Sequence, residues 1–466
     1  MAASSRRVAY RAARILSPDL QWRTDAHLVV EDGCIVGIID DAPHDTSVVD
    51  LGPCAIVPGQ INAHSHAFQR GIRGLTEGLP DASSTHDDFW TWRTQMYRLA
   101  LNCQPEDVRA IAQMAFVEMA LSGITAVGEF HYVHHQPDGT PYDDVNTLAH
   151  AVIEAARTAG IRITLLKVAY ERAGHGRDPN PDQRRFYSDV DDYIDSVEAL
   201  HDRWAGTEGV HVGVAPHSVR AVGRETLKRI AEYVNGRPQP AHIHACEQTA
   251  ELEQCDAEYG MGPVQLLEDV GFLNRGATLV HGIHLDAGAL ELLERAQATV
   301  CACPSTERNL GDGVVPAFEL MSRQVPICLG SDSHTLIDPW AEMRQVEYHE
   351  RLLRQRRNVL ARFHPSGQTA RSLWPMGTTH GAQAIGQRGG ALSPGSPADF
   401  VALDLEHVAL AGACSGDLLA DIVFSMPNGA VRDVYVGGRA IVQGGVHPLA
   451  RRTVKAFAQV MTGLRA

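Results

Sequence analysis

The stretch NAHSHAFQR, residues 62–70, closes an apolar run, AIVPGQI (55–61), and sets two histidines one residue apart. Side chains alternate along a strand, so His64 and His66 share one face and can chelate a single metal ion. Their meaning depends on where other donors fall, and so on the fold. Seven further apolar runs follow: TAVGEFHY (125–132), RITLLKVAY (162–170), HVGVAPHS (211–218), PAHIHACE (240–247), ATLVHGIH (277–284), TVCACPST (299–306) and VPICLGSDS (325–333). Near-continuous apolar runs suit parallel strands buried on both faces. Helix-period segments lie between most of them. PEDVRAIAQMAFVEMALSG opens on Pro105 and acids and closes on Gly123, DVNTLAHAVIEAARTAG ends on Gly160, and GRETLKRIAEYVNG ends on Gly236. These are start and stop signals for helices. Eight strand–helix alternations predict an α/β fold, a (β/α)8 TIM-type barrel with insertions, over residues 56–384.

The two ends of the chain read differently. HLVVEDGCIVGII (27–39) is a pair of alternating runs joined by Asp32-Gly33, a hairpin signal, and VRDVYVGGRAIV (431–442) repeats the pattern around Gly437-Gly438. Residues 1–55 and 385–466 are expected to form one small composite β-sandwich domain. Long connections follow the first three strands. One of them, ERAGHGRDPNPDQRR (171–185), is polar and suits either a mobile lid or an exposed loop.

Composition narrows the function classes. The 466 residues carry a formal net charge of −15, which opposes binding to nucleic-acid backbones. The start, MAASSRRVAYRAARIL, has no apolar core of a signal peptide, and no apolar run reaches the ~18 residues of a membrane span. The nine cysteines are scattered and are expected to be free thiols in a reducing cytoplasm.

The histidines and acids of interest fall at the C-terminal ends of the strands. His64 and His66 end the first, His244 the fifth, His281 the sixth and Asp332 the eighth. Barrel enzymes place their active sites at that end. Three neutral imidazoles and one carboxylate suit one divalent metal ion, zinc or another, with a position left for water. His242 competes with His244 for the fifth-strand position. His244 is preferred because Glu247 follows it where the chain turns into a loop, which sets a carboxylate beside the ion. The fourth strand ends in APHS, without a lysine, so no bridging group for a second ion is expected. A divalent cation lowers the pKa of bound water toward ~7. Asp332 is then placed to take the water proton, His281 to stabilise the tetrahedral intermediate, and Glu247 to protonate a departing nitrogen. Such machinery hydrolyses C–N bonds at an electrophilic carbon. Ser333 and His334 are read as braces for Asp332, with His334 equally readable as a simple loop residue.

PGQINAHSHAFQR, HIHACEQ, HGIHL, GSDSH and LSPGSPADFVALDL together resemble the amidohydrolase superfamily, in its mononuclear deaminase branch. FWTWRTQMY (89–97), GEFHYVHHQPDGTPY (128–142), VAPHSVRAV (214–222) and PSTERNLGDG (304–313) are similar to the formimidoylglutamate deiminase family within it. The resemblance implies hydrolysis of N-formimidoyl-L-glutamate to N-formyl-L-glutamate and ammonia in histidine degradation. It implies zinc as the usual ion and a homodimer as the common assembly. It also implies that Arg93 and Arg220 meet the carboxylates of a small dianionic amidine, with Gln69, Tyr132 and His217 as further substrate contacts. Arginine's planar fork suits that task, and an acidic chain needs local cations to hold a dianion. Two rival readings stand beside this one: an aminohydrolase of purines, nucleosides or triazines, and a barrel that binds without catalysis.

Overall fold

The computed structural model describes residues 7–44, 46–79, 87–413 and 417–465. The first six residues, and with them the start of the leader reading, lie outside the described residues, as do residues 80–86 of the long first loop.

Eight parallel strands form one sheet in chain order: Gln60–Ser65, Ile124–His131, Arg162–Ala169, Val210–Pro216, Ala241–Ala245, Ala277–His281, Thr299–Ala302 and Ile327–Leu329. The last strand returns to the first. Ser65 and Asp332 form a parallel bridge, with His66 N–H donating to the Asp332 carbonyl at 3.1 Å and Asp332 N–H donating to the His64 carbonyl at 3.1 Å. This is the predicted barrel. Helices predicted from their end signals surround it. Pro105–Leu121 begins with proline at its first turn, where a missing N–H costs nothing, and Thr147–Ala159 stops at Gly160, whose φ of 87° is the left-handed cap.

Two strand readings change. The run at 55–64 is two strands, because the chain turns at Gly59. Cys54–Pro58 pairs with Phe400–Asp404 outside the barrel, and only Gln60–Ser65 enters it. A Cβ on Gly59 would sit 2.2 Å from the Thr125 hydroxyl, so only glycine lets the chain pass the second strand here. The run at 299–306 stops being a strand at Ala302, because Pro304 opens a short helix, Pro304–Leu310.

Both ends of the chain build the remaining sheets. One has four strands, from residues 7–50; the other has six and mixes strands from residues 14–58 with strands from 400–442. Tyr10, Ile15, Leu28, Ile56 and Phe400 share one core between them. The Asp32-Gly33 and Gly437-Gly438 hairpins have positive φ at both central residues, as primed turns require. The end of the chain is helical, Ala450–Arg465, and lies against the barrel helix Pro105–Leu121, where Gln113 donates to Thr453 at 3.4 Å. Apolar residues at helical spacing, Phe457, Val460, Met461 and Leu464, turn that face inward.

A buried ion pair ties the terminal sheets to the barrel. Arg162 Nε and Nη2 donate to Asp399 at 2.7 and 3.2 Å, and Gly437 N–H donates to the same carboxylate at 2.7 Å. Removing the acid leaves the buried guanidinium only the exposed Glu208 carboxylate at 3.5 Å, so Asp399→Ala should cost about 3 kcal/mol. Urea unfolding checks this. A loss below about 1 kcal/mol would show that the pair does not hold the two parts together.

Candidate active site

The seam that closes the barrel also assembles the donor cluster. His64 and His66 lie at the end of the first strand, and Asp332 sits directly across the closing bridge. His64 Nε2 and His66 Nε2 are 3.2 Å apart, and lie 3.3 and 3.2 Å from Asp332 Oδ1. His244 completes a group of four buried side chains whose ligand atoms all fall within 4.8 Å of one another. His66 Nδ1 lies 2.9 Å from the Phe130 carbonyl, and His244 Nδ1 lies 2.9 Å from the His217 carbonyl. A carbonyl only accepts, so each Nδ1 carries the hydrogen and each Nε2 presents a lone pair. Burial pushes the His64 pKa down to about 3 and holds His244 well below its usual range, so both rings are neutral. The Nε2 lone pairs of His66 and His244 and the Asp332 carboxylate converge on one point with His64, an arrangement that a cation between them would satisfy. The donor set, three imidazoles and one carboxylate, fits zinc. His242 is not part of it; its Nε2 bonds the Ala384 carbonyl at 2.8 Å.

Backbone strain marks the same place. Cys246, His281 and Asp332 have φ of 57°, 74° and 45°, left-handed values that side chains other than glycine rarely adopt. Asp332 is held there by the two closing bonds.

Beside the donors stands a row of acid–base groups. Glu247 Oε1 lies 3.7 Å from His281 Nε2, which lies 3.8 Å from Asp332 Oδ2. Burial opposes charge on His281, but the carboxylates of Glu247, Glu307 and Asp332 outweigh it and raise its pKa to about 10. Arg220 Nη2 donates to Glu247 Oε2 at 2.7 Å, which fixes the direction of that carboxylate.

The residues expected to contact substrate line one cavity that opens onto these groups. Gln69, Arg93, Tyr132, His217 and Arg220 share it with Glu247, His281 and Asp332. Gln69 Nε2 donates to Tyr132 Oη at 2.7 Å. Arg93 has no carboxylate partner among the described residues; its guanidinium lies 4.5 Å from the Trp90 ring centre. Asp88 caps the helix Phe89–Asn102 by accepting from the Trp90 and Thr91 amides.

A profile of the amidohydrolase family matches residues 55–441. The chain belongs to this family. It is 37% identical over 451 residues to a formimidoylglutamate deiminase of Pseudomonas aeruginosa, covering 97% of this chain and 98% of that protein. A crystal structure of an amidohydrolase from Brucella melitensis matches with a TM-score of 0.89 at 36% identity, covering 99% of this chain and all (100%) of that one. An adenosine deaminase of Xanthomonas campestris, solved with bound zinc, shares the fold at a TM-score of 0.82 and 21% identity over 98% of each chain. The resemblance read from the motifs therefore holds for the family and for the barrel.

Within this amidohydrolase, some site residues carry no sequence signal. Glu307 Oε1 lies 3.4 Å from His281 Nδ1 and accepts the Cys303 amide at 2.7 Å, so it orients the imidazole. Its only trace in the sequence is a charge inside the otherwise buried start of PSTERNL. Glu129 accepts from Ser65 Oγ at 2.5 Å and from the Ala67 amide at 2.7 Å, and burial pushes its pKa up to about 7. The reading of Ser333 and His334 changes. His334 bonds Ser331 Oγ at 3.0 Å and Ser65 Oγ at 3.1 Å, while Ser333 bonds Thr306 at 3.1 Å. They lock the strand ends together, and neither hydroxyl nor ring bonds the Asp332 carboxylate. Arg70 and Arg73 are engaged by Glu118 at 2.8 and 2.6 Å.

Loss of a donor should empty the cluster. His244→Ala and Asp332→Ala should each weaken metal retention by at least about tenfold, read by elemental analysis after dialysis against a weak chelator. Glu307→Gln should leave metal content unchanged. Full stoichiometry in both donor variants would place the ion elsewhere.

Proposed function

We propose that this chain hydrolyses N-formimidoyl-L-glutamate to N-formyl-L-glutamate and ammonia, as a step in histidine degradation. The full-length relationship to the Pseudomonas aeruginosa enzyme supports that substrate. The observation that carries it is local. Two arginines, Arg93 and Arg220, line the cavity above the donor cluster in a chain whose net charge is −15. A substrate with two carboxylates and one amidine accounts for cations placed against the general field. A purine or triazine could stack on the aromatic wall of Phe89, Trp92 and Phe186 but would not call for these charges.

His64, His66, His244 and Asp332 would hold one Zn²⁺, the ion bound in the Xanthomonas campestris neighbour. When bound, such a cation supplies a Lewis acid that brings the pKa of water toward ~7. The remaining work belongs to side chains. Arg93 and Arg220 receive the carboxylates. Gln69, Tyr132 and His217 close around the backbone of the substrate and keep bulk water away from the amidine carbon. Asp332 accepts the proton of the attacking water. His281, oriented by Glu307, donates toward the oxygen that forms on the tetrahedral carbon. Glu247 delivers a proton to the amidine nitrogen, the C–N bond breaks, and ammonia leaves. The balance closes because one water enters, its oxygen remains in the formyl group, and its two hydrogens, taken up by Asp332 and relayed through Glu247, end on the departing nitrogen, which leaves as ammonia.

No described helix is long and apolar enough to cross a membrane. We place the enzyme in the cytoplasm, acting on a small molecule, and its net charge of −15 opposes nucleic acid as a partner. We take the working form to be a homodimer.

Ammonia release from N-formimidoyl-L-glutamate, compared with adenosine and guanine, tests the substrate. Turnover of a purine at a higher kcat/KM would overturn it. Glu247→Gln should keep its metal and lose about 10²–10⁴-fold in kcat. An unchanged kcat would assign the proton to another group. Arg93→Met should raise KM by about tenfold or more, the worth of a hydrogen bond to a charged group, with a smaller change in kcat.

A further inference from the structure

The polar connection after the third barrel strand, residues 171–189, is only half a surface loop. Gln183, Arg185 and Phe186 are fully buried, each with 0% of its surface exposed. Arg185 pins the segment: its guanidinium donates to the His135 carbonyl at 2.6 Å and the Cys103 carbonyl at 2.7 Å, and also to that of Ala100. Phe186 packs edge-on against Tyr132 with ring centres 5.1 Å apart, inside the cavity wall.

The side-chain amide of Gln183 turns its oxygen toward Tyr187. Tyr187 Oη accepts the Asn180 amide at 2.9 Å and donates its own hydrogen to Gln183 Oε1 at 2.8 Å. Gln183 Nε2 therefore faces the other way. It lies 2.6 Å from Tyr97 Oη and 2.6 Å from Tyr170 Oη, and gives one hydrogen to each. Both tyrosines line the cavity with Arg93 and Arg220. Each phenol oxygen thus has a donor already. With its oxygen already accepting from Gln183, each hydroxyl keeps its own hydrogen to donate, and both side chains line the cavity. Burial raises the pKa of both phenols, so both keep their hydrogens at neutral pH.

We propose that Gln183 is a positioning residue that turns the Tyr97–Tyr170 pair into a neutral hydrogen-bond donor for the carboxylate that Arg93 and Arg220 draw into the cavity. This rests on the dianionic substrate argued above. A phenol O–H adds a directed contact without adding another buried cation, which would have to be desolvated.

Polarity reversal at position 183 gives the test. In Gln183→Glu the carboxylate accepts from the phenols, takes up their hydrogens and faces the dianion. In Gln183→Met the donors vanish without a new charge. KM for N-formimidoyl-L-glutamate should rise by about tenfold or more in the Glu variant, and by less in the Met variant. In both, kcat, metal content and thermal midpoint should stay near wild type. The double variant Tyr97→Phe/Tyr170→Phe removes only two oxygens and should raise KM like the Met variant; it carries the test if the Glu variant does not fold. Equal KM in wild type and the Glu variant would overturn the proposal. So would equal rises in the Glu and Met variants with a lowered midpoint, since that is a packing defect. Calorimetric binding of glutarate separates the two readings. If wild type releases no ammonia from N-formimidoyl-L-glutamate yet binds glutarate, and the Glu variant does not, the substrate is wrong and the role of Gln183 stands. If wild type turns over but glutarate binding is the same in both proteins, the role of Gln183 falls.

Discussion

Closure of the barrel is the constraint on which the rest depends. Two backbone hydrogen bonds, His66 to Asp332 and Asp332 to His64, join the ends of a sheet whose strands run in chain order. They also bring an imidazole pair against a carboxylate. The fold and the donor cluster are therefore one event: a barrel that fails to close has no cluster. The cost is visible in the left-handed backbone of Asp332 and His281. Beneath the seam, a chain of hydrogen bonds runs from Asn62 through Ser331, His334 and Ser65 to Glu129. It ties the first, second and eighth strands at the level where the donors leave the sheet. Such support holds ligands within the narrow tolerance that metal geometry demands.

Charge explains the arrangement around the seam. Glu129, Glu247, Glu307 and Asp332 are all buried near one another, in a protein that is already acidic. Buried carboxylates without partners are expensive. Here three of them have one: the Ser65 hydroxyl and a backbone amide for Glu129, Arg220 for Glu247, and His281 and a backbone amide for Glu307, while Asp332 faces the histidine donors. A divalent cation among the donors completes that balance. Arg220 stands between the two halves of the site. One of its nitrogens holds Glu247, while the residue also lines the cavity.

How much of this was legible in the sequence follows from the range of each interaction. His64, His66, His244 and Asp332 could be found because strand ends and side-chain alternation are local, and the barrel rule then brings local ends together. Helix limits at Pro105 and Gly160 were legible for the same reason. The break at Gly59 was not, since an apolar run looks the same whether its halves enter one sheet or two; only the approach of Thr125 reveals it. Pro304 did carry a signal, because proline at a helix start is a local rule, but the apolar run around it masked the turn. Glu307 and His334 act through partners 26 and 269 positions away, and no spacing predicts those.

Gln183 is the furthest case of that last kind. Its segment is rich in Gly, Pro and charge, the composition of a solvated loop. Composition describes the segment's average, and the average is polar because most of it does face water. Gln183, Arg185 and Phe186 do not, and the segment is pinned by Arg185, whose guanidinium satisfies backbone carbonyls that the helix Phe89–Asn102 and the second-strand loop leave open. An arginine serving as an internal clamp looks, in sequence, like any surface arginine. The consequence is that the cavity wall is built by two kinds of chain. The barrel strands supply chemistry at fixed positions, and an irregular strap, pinned by one buried cation, sets the hydrogen-bond polarity of the wall that the substrate meets.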